Sequence, residues 1–253
     1  MKIVLVVFLV YVVISSISGY VEINRLKDKD IIEKIKIKLY KITILEGWLI
    51  TSITLSITMI TKLPLRELGL SVPNTNDFEI THRIRIACII ACSLLLLLLL
   101  YQMMGYLTSE AYRARLRSQL EKSEAKSSHY DKILTNIMLP KTYREKQWFT
   151  FVSATAGIGE EIVYRGFLMY HLMQQFSKLP LLLILLIASI IFGLAHSYQG
   201  LTGMLKTSLV GMVLGALYIT SGSILPGIIL HFIMDFSSNF LYPSTNSKAY
   251  TRA

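Results

Sequence analysis

The chain is poor in charge, cysteine and proline for its length. Of 253 residues only 17% are Asp, Glu, Lys or Arg, where an average soluble domain carries about 25%. With 53% hydrophobic residues and a mean hydropathy of +0.53, that shortage excludes a disordered chain and a nucleic-acid binder of the usual basic, polar kind. Two cysteines exclude a disulfide framework. Cys88 and Cys92 stand four apart, which is neither a CxxC redox pair nor a metal box, and they read as small buried apolar residues. Six prolines leave long apolar stretches uninterrupted. Acidic residues are the scarcer sign, 16 against 26 basic, for a net charge of +10. An apolar chain with excess positive charge reads as a polytopic membrane protein whose Lys and Arg gather in cytoplasmic loops.

A spanning helix needs about 20 mostly apolar residues. On that measure the fold is all-α and membrane-embedded, with about seven spans near 3–20, 42–61, 84–107, 148–172, 181–198, 203–220 and 224–241. The first reads as a retained helix, because Lys2 alone is a weak charged start for a signal peptide. The segment after it, 22–41, carries Arg25, Lys27, Lys29, Lys34, Lys36, Lys38 and Lys41 and resists translocation. Pro64, Pro73 and an NTND stretch at 74–77 mark a connector. Segment 109–147 is the second basic stretch, and within it 109–127 reads as a water-exposed helix beside anionic lipid. Both basic segments belong in the cytoplasm, which places the N-terminus outside and the tail, with Lys248 and Arg252, inside. The organisation is then an N-terminal block over 1–147, a core of four spans over 148–241 and a short tail over 242–253. The expected location is a plasma membrane, bacterial in kind.

Ionisable residues at membrane depth cost at least about 2.5–3.5 kcal/mol each on insertion scales. They therefore need mutual pairing or a function. Glu160, Glu161 and Arg165 lie in GIGEEIVYRGF, His196 in FGLAHSYQG, Lys206 near the start of the sixth span, and His231 and Asp235 in LHFIMDF. Glu161 and Arg165 are four apart and share a helix face. Glu160 is turned about 100° away, so it is the carboxylate free to point into a cavity. His231 and Asp235 also share a face, so Asp235 either orients His231 or looks at the same centre. Lys206 reads as snorkelling to the interface. Gly157, Gly159 and Gly166 read as sites of close helix packing. His82, His129 and His171 fall at loops or span ends and receive no role.

A carboxylate with one imidazole can activate water, and a second imidazole can steady an oxyanion. The same residue types also suit a divalent metal such as zinc, held by Glu160, His196, His231 and Asp235. The residues alone leave both open. Other intramembrane chemistries lack their motifs: there is no HExxH, no GxSG-type serine in a span, and no partner for Asp235 in an aspartyl dyad. Buried Glu, His and Asp also suit a proton-coupled transporter, although no internal repeat supports one.

EEIVYR at 160–165, FGLAH at 192–196 and HFIMD at 231–235 resemble, in order, the EExxxR, FxxxH and HxxxN/D motifs of the CAAX-protease and bacteriocin-processing (CPBP, or Abi) family. The resemblance covers roughly 148–241. It implies an intramembrane endopeptidase in which Glu160 activates water with His196. His231 with Asp235 forms the oxyanion side, and Glu161 with Arg165 is the supporting pair. The family is described both as glutamate-dependent and as metal-dependent, so the cofactor stays open. Asp235, where eukaryotic CAAX proteases have Asn, fits bacterial members. The implied partners are a membrane-associated peptide and the lipid bilayer, with no nucleic acid. The implied setting is bacteriocin or peptide-signal maturation, or self-immunity. A non-catalytic immunity protein is the competing reading within this resemblance.

Overall fold

A computed structural model describes residues 2–25, 29–73, 82–126 and 129–240. The NTND stretch at 74–77 and the tail at 242–253 lie outside the described residues. Those described are helical with no strand. In chain order the helices are α1 (Lys2–Arg25), α2 (Lys29–Ile60), α3 (His82–Thr108), α4 (Glu110–Lys126), α5 (His129–Met138), α6 (Tyr143–Glu160), a π-helical segment (Glu161–Leu168), α7 (Met169–Gln175), α8 (Leu181–Ala195), α9 (Gly200–Ser221) and α10 (Leu225–Ser237). Short 3₁₀ turns stand at Leu65–Leu68, Ser197–Gln199 and Ser238–Phe240.

Among the described residues three helical stretches are long and apolar enough to cross a membrane: Lys34–Ile60, His82–Thr108 and Ser197–Ser221. Leu5–Val21 and Leu181–Ala195 are apolar but shorter. The large apolar side chains of α3, among them Leu94, Leu97 and Leu98, face outward. Such a face is out of place in water and ordinary against lipid. The protein is therefore an integral membrane protein built from helices.

Two segments read as basic loops are more ordered than expected. Helix α2 begins at Lys29 and runs unbroken into the apolar stretch. Segment 109–147 folds as α4, α5 and the first turn of α6. The helix expected within 109–127 is present as α4, and most of its side chains over 110–123 are exposed. The reason for the extra order is a buried ion pair that the basic composition conceals. Lys36 Nζ lies 3.0 Å from Glu145 Oε2 and also donates to the Leu139 carbonyl. Glu145 is itself half of a capping box: Thr142 Oγ1 accepts from Glu145 N, and the Glu145 carboxylate accepts from Thr142 N. Burial pushes the Glu145 carboxyl up, but the Lys141 amide, the Lys36 ammonium and the Thr142 amide together hold it below the usual carboxylate range. A lowered folded-state value means that this contribution to stability is present above the ordinary carboxylate range and is lost as pH falls through the lowered one. Lys36→Met should accordingly lower the melting temperature at neutral pH, and the gap from wild type should shrink as the medium is acidified. Thermal melts in detergent across the acid range check this.

Helices α2 and α6 run parallel and in register. Tyr40 packs on Phe149 with ring centroids 5.6 Å apart. A Cβ on Gly47 would meet Thr155, and one on Gly159 would lie 2.6 Å from Thr51 Oγ1. On another face of α6, Gly157 lies against the backbone of α10, where a Cβ would come within 3.0 Å of Phe232 N. The close packing expected at Gly157 and Gly159 is present, and Gly166 does the same against Leu68. Helices α8 and α9 form the adjoining hairpin, α1 lies against α8, and α3 covers α9 and α10. The core centres on the π segment, where every residue from Glu161 to Leu168 is buried. Phe8 and Val12 of α1 and Phe192 of α8 close over it.

Candidate active site

Three stretches of chain meet at the end of α6. Glu160 is the last residue of α6, and Glu161 and Arg165 stand in the π segment. His196 caps the C-terminus of α8, and His231 and Asp235 lie on α10. All six predicted residues are brought together.

Their roles separate by hydrogen bonding. Glu161 is fully buried, and its Oε1 accepts from Arg165 Nη1 at 2.8 Å and from His231 Nδ1 at 2.9 Å. Arg165 also reaches the Gly211 carbonyl, and its guanidinium lies 4.3 Å from the ring centroid of Phe192. The pairing of Glu161 with Arg165 expected from their spacing is therefore found, with Phe192 as its floor. Phe192 also meets Tyr164, His196 and His231 edge-on, so the first residue of FGLAH joins all three motifs.

Both imidazoles have one nitrogen committed. His196 Nδ1 donates to the Phe192 carbonyl at 2.9 Å, and His231 Nδ1 donates to the Glu161 carboxylate. Each acceptor can only accept, so each Nδ1 carries the proton and each Nε2 is turned to the centre. Glu160 stands between them, with Oε1 3.9 Å from His196 Nε2 and Oε2 3.8 Å from His231 Nε2. Asp235 Oδ2 lies 3.7 Å from His231 Nε2. These separations exceed a hydrogen bond, so the groups face a common point. Of the two options for Asp235, the structure takes the second: Glu161 orients His231, and Asp235 looks at the same centre.

The donor types and tautomers suit a metal ion, but the spacing as it stands does not. Tetrahedral ligands at about 2.0–2.2 Å from zinc lie about 3.4 Å from one another. Among the described residues no group of three His, Cys, Asp or Glu side chains is placed to hold an ion. The chemistry is accordingly derived without one.

Glu160 and His196 line a cavity of about 650 Å³. Tyr11 and Ser15 of α1, Glu46 of α2, Tyr164 and Tyr198 share its wall, and it extends to Tyr40 and Met138 at the basic end of the molecule. His231 and Asp235 adjoin Glu160 and are not among the lining residues.

Residues 145–237 match the family described as Type II CAAX prenyl endopeptidase Rce1-like. No curated protein and no solved structure matches the chain. The matched segment begins at Glu145 of the capping box and contains every residue of the constellation. It leaves out α1 and α2, which supply the far wall of the cavity.

Several residues at this centre carry no signal in the sequence alone. Tyr164 lies within EEIVYR but reads there as a spacer; it is buried and packs edge-to-face on Phe8 and Phe192. Gly227 carries no sequence signal. A Cβ on it would lie 2.9 Å from Glu161 Oε2, an oxygen that is buried without a hydrogen-bond partner. Gly227→Val should therefore force the carboxylate off His231 and Arg165, at a cost of about 1–3 kcal/mol, and lower activity with stability. Paired melting and rate measurements check this. His171 is a buried structural histidine whose Nδ1 donates to the Phe167 carbonyl.

Proposed function

We propose that this protein hydrolyses a peptide bond in a membrane-associated peptide, with Glu160 as the general base. The observation that carries the reading is the position of the Glu160 carboxylate, between two inward-facing Nε2 atoms and at the wall of a large cavity. A water molecule held by Glu160 and His196 donates its two hydrogens to two acceptors, which raises the nucleophilicity of its oxygen. The oxygen attacks the scissile carbonyl carbon as one proton passes to Glu160. His231 enters the reaction as the imidazolium, donates Nδ1–H to Glu161 and Nε2–H to the oxyanion and keeps both protons through to products, and Asp235 balances its charge. Glu160 then passes its proton to the amide nitrogen, the C–N bond breaks, and a carboxylate and an amine leave.

The seven-span topology, with both basic segments cytoplasmic, fits this reading. The cavity then runs from mid-membrane toward the cytoplasmic side. Processing of a precursor of the bacteriocin or peptide-signal kind is an activity that such a cavity serves, in a bacterial plasma membrane.

The test is cleavage of a pool of lipid-anchored peptides by the purified chain in vesicles, with new termini read by mass spectrometry. The expected result is specific cleavage that persists after thorough chelation. Cleavage abolished by chelation and restored by zinc would transfer the water from the carboxylate to a metal. An absence of cleavage from a peptide pool broad enough to cover the cavity would overturn the reading.

A further inference from the structure

Glu160 and His196 line the cavity, whereas His231, the donor assigned to the oxyanion, is not on its wall. A carbonyl that enters from the cavity therefore meets other donors at the reacting centre. Among the described residues no Lys or Arg lines the wall, and its longest-reaching donors are the phenols of Tyr11, Tyr40, Tyr164 and Tyr198. Tyr40 donates to the Met138 carbonyl, and Tyr11 pairs with Ser15. Tyr164 is wedged between Phe8 and Phe192.

Tyr198 differs from them, because its hydrogen is directed by a chain of hydrogen bonds. It follows His196 by two residues in the 3₁₀ turn Ser197–Gln199, and the two ring centroids lie 5.9 Å apart. Tyr130 Oη donates to its carbonyl, and a Cβ on Gly19 of α1 would lie 3.2 Å from its own Cβ. Gln199 Nε2 donates to its hydroxyl oxygen at 3.4 Å. Gln199 is in turn set by Thr207 of α9, whose Oγ1 donates to Gln199 Oε1 at 3.5 Å. The amide nitrogen can only donate, so the phenol oxygen is the acceptor and its own hydrogen is left over. Among the described residues no acceptor takes that hydrogen. Donors in series polarise one another, so the chain from Thr207 through Gln199 makes Tyr198 a stronger donor. Glu160 and Asp235 lie within electrostatic reach of the phenol, which places it beside the point that Glu160, His231 and Asp235 face.

We propose that Tyr198 is a further catalytic residue, which donates Oη–H to the oxyanion from the cavity wall. The inference rests on the proteolytic reading. The carbonyl oxygen gains negative charge as water adds to its carbon, and the phenol hydrogen bond strengthens with that charge. The phenol keeps its proton throughout, so the transfer of the water proton through Glu160 to the amide nitrogen is unaltered. No existing bond is given up, since the hydrogen has no other acceptor.

The experiment uses the full chain in vesicles with a pool of lipid-anchored peptides. A second pool carries a phosphinate in place of one peptide bond; its charged oxygen imitates the oxyanion, and it is not hydrolysed. Tyr198→Phe should lower kcat about a hundredfold with little change in KM, as for the loss of one oxyanion donor. It should also lower the binding preference for phosphinate over amide by a similar factor. Melting should be unchanged, because the lost hydrogen has no partner. Gln199→Glu places an acceptor where Nε2 stood, draws the phenol hydrogen away from the cavity and should reproduce the loss. The double variant should be no slower than either single one, as for two changes acting through one hydrogen. An unchanged rate in Tyr198→Phe, a loss confined to KM, or losses that multiply in the double variant overturns the role of Tyr198 and leaves the protease standing. A phosphinate preference that depends on Tyr198, without any cleavage, supports the donor and overturns the protease. Neither cleavage nor phosphinate preference overturns both.

Discussion

Glu160→Gln should reduce peptide cleavage by at least about a hundredfold while leaving the protein folded, because general-base catalysis typically contributes 10²–10⁴-fold. The two halves of that expectation have separate causes. The loss of rate follows from chemistry: an amide oxygen cannot take the water proton or return it to the leaving nitrogen. The retained fold follows from geometry. The nearest ionic partners of Glu160 are 3.8 and 3.9 Å away, and 30% of its side chain is exposed. An isosteric neutral replacement therefore orphans no buried group, and stability should move by no more than about 0.5 kcal/mol. Initial rates in vesicles and melting curves in detergent check both halves. Near wild-type rates would pass the base role to His196, whose Nε2 faces the same point.

The neighbouring carboxylate behaves in the opposite way. Arg165→Leu should cost about 3–5 kcal/mol of stability, because it strands the fully buried Glu161 without its cation. At this chain length such a loss lowers the melting temperature on the order of 10 °C. Activity should fall with it, since Glu161 also fixes the His231 ring. The double variant Glu161→Gln with Arg165→Leu removes charge and partner together and should recover a substantial part of the lost stability, although not the activity. A double variant no more stable than Arg165→Leu alone would mean that the guanidinium acts through its contact with Phe192 and not through charge. Two adjacent glutamates are thus separated experimentally: loss of one silences the reaction, and loss of the other's partner unsettles the fold.

The division between Glu160 and Glu161 was legible in the sequence because helix periodicity alone pairs residue 161 with 165. The clustering of His196, His231 and Asp235 was legible because unpaired charge in so apolar a chain has nowhere else to go. Helices α1, α2 and α3 were found by hydropathy to within a few residues at most ends. What escaped depends on contacts between distant segments. Lys36 looked like one of seven loop cations, and only Glu145, 109 residues later, makes it a buried one. Glu46 lies near the basic end of its span, and nothing local reveals a cavity on that face. Gly227 could not be distinguished from any other helix glycine until the orphaned oxygen of Glu161 was seen against it. Nor does a sequence announce a change from α to π hydrogen bonding, since both ladders accept the same residues.

That π segment has a consequence for when the protein becomes competent. A π turn is rarely the preferred state of an isolated helix, and here it holds Glu161 and Arg165 with every residue shielded by other parts of the chain. Phe8 arrives from the first helix, Phe192 from the eighth and Gly227 from the tenth. A partly assembled chain lacks the contacts that keep the wider winding in place, and its two charges have no common acceptor network. The reactive geometry is thus a product of complete assembly, and a half-inserted molecule is silent in the membrane that it would otherwise endanger.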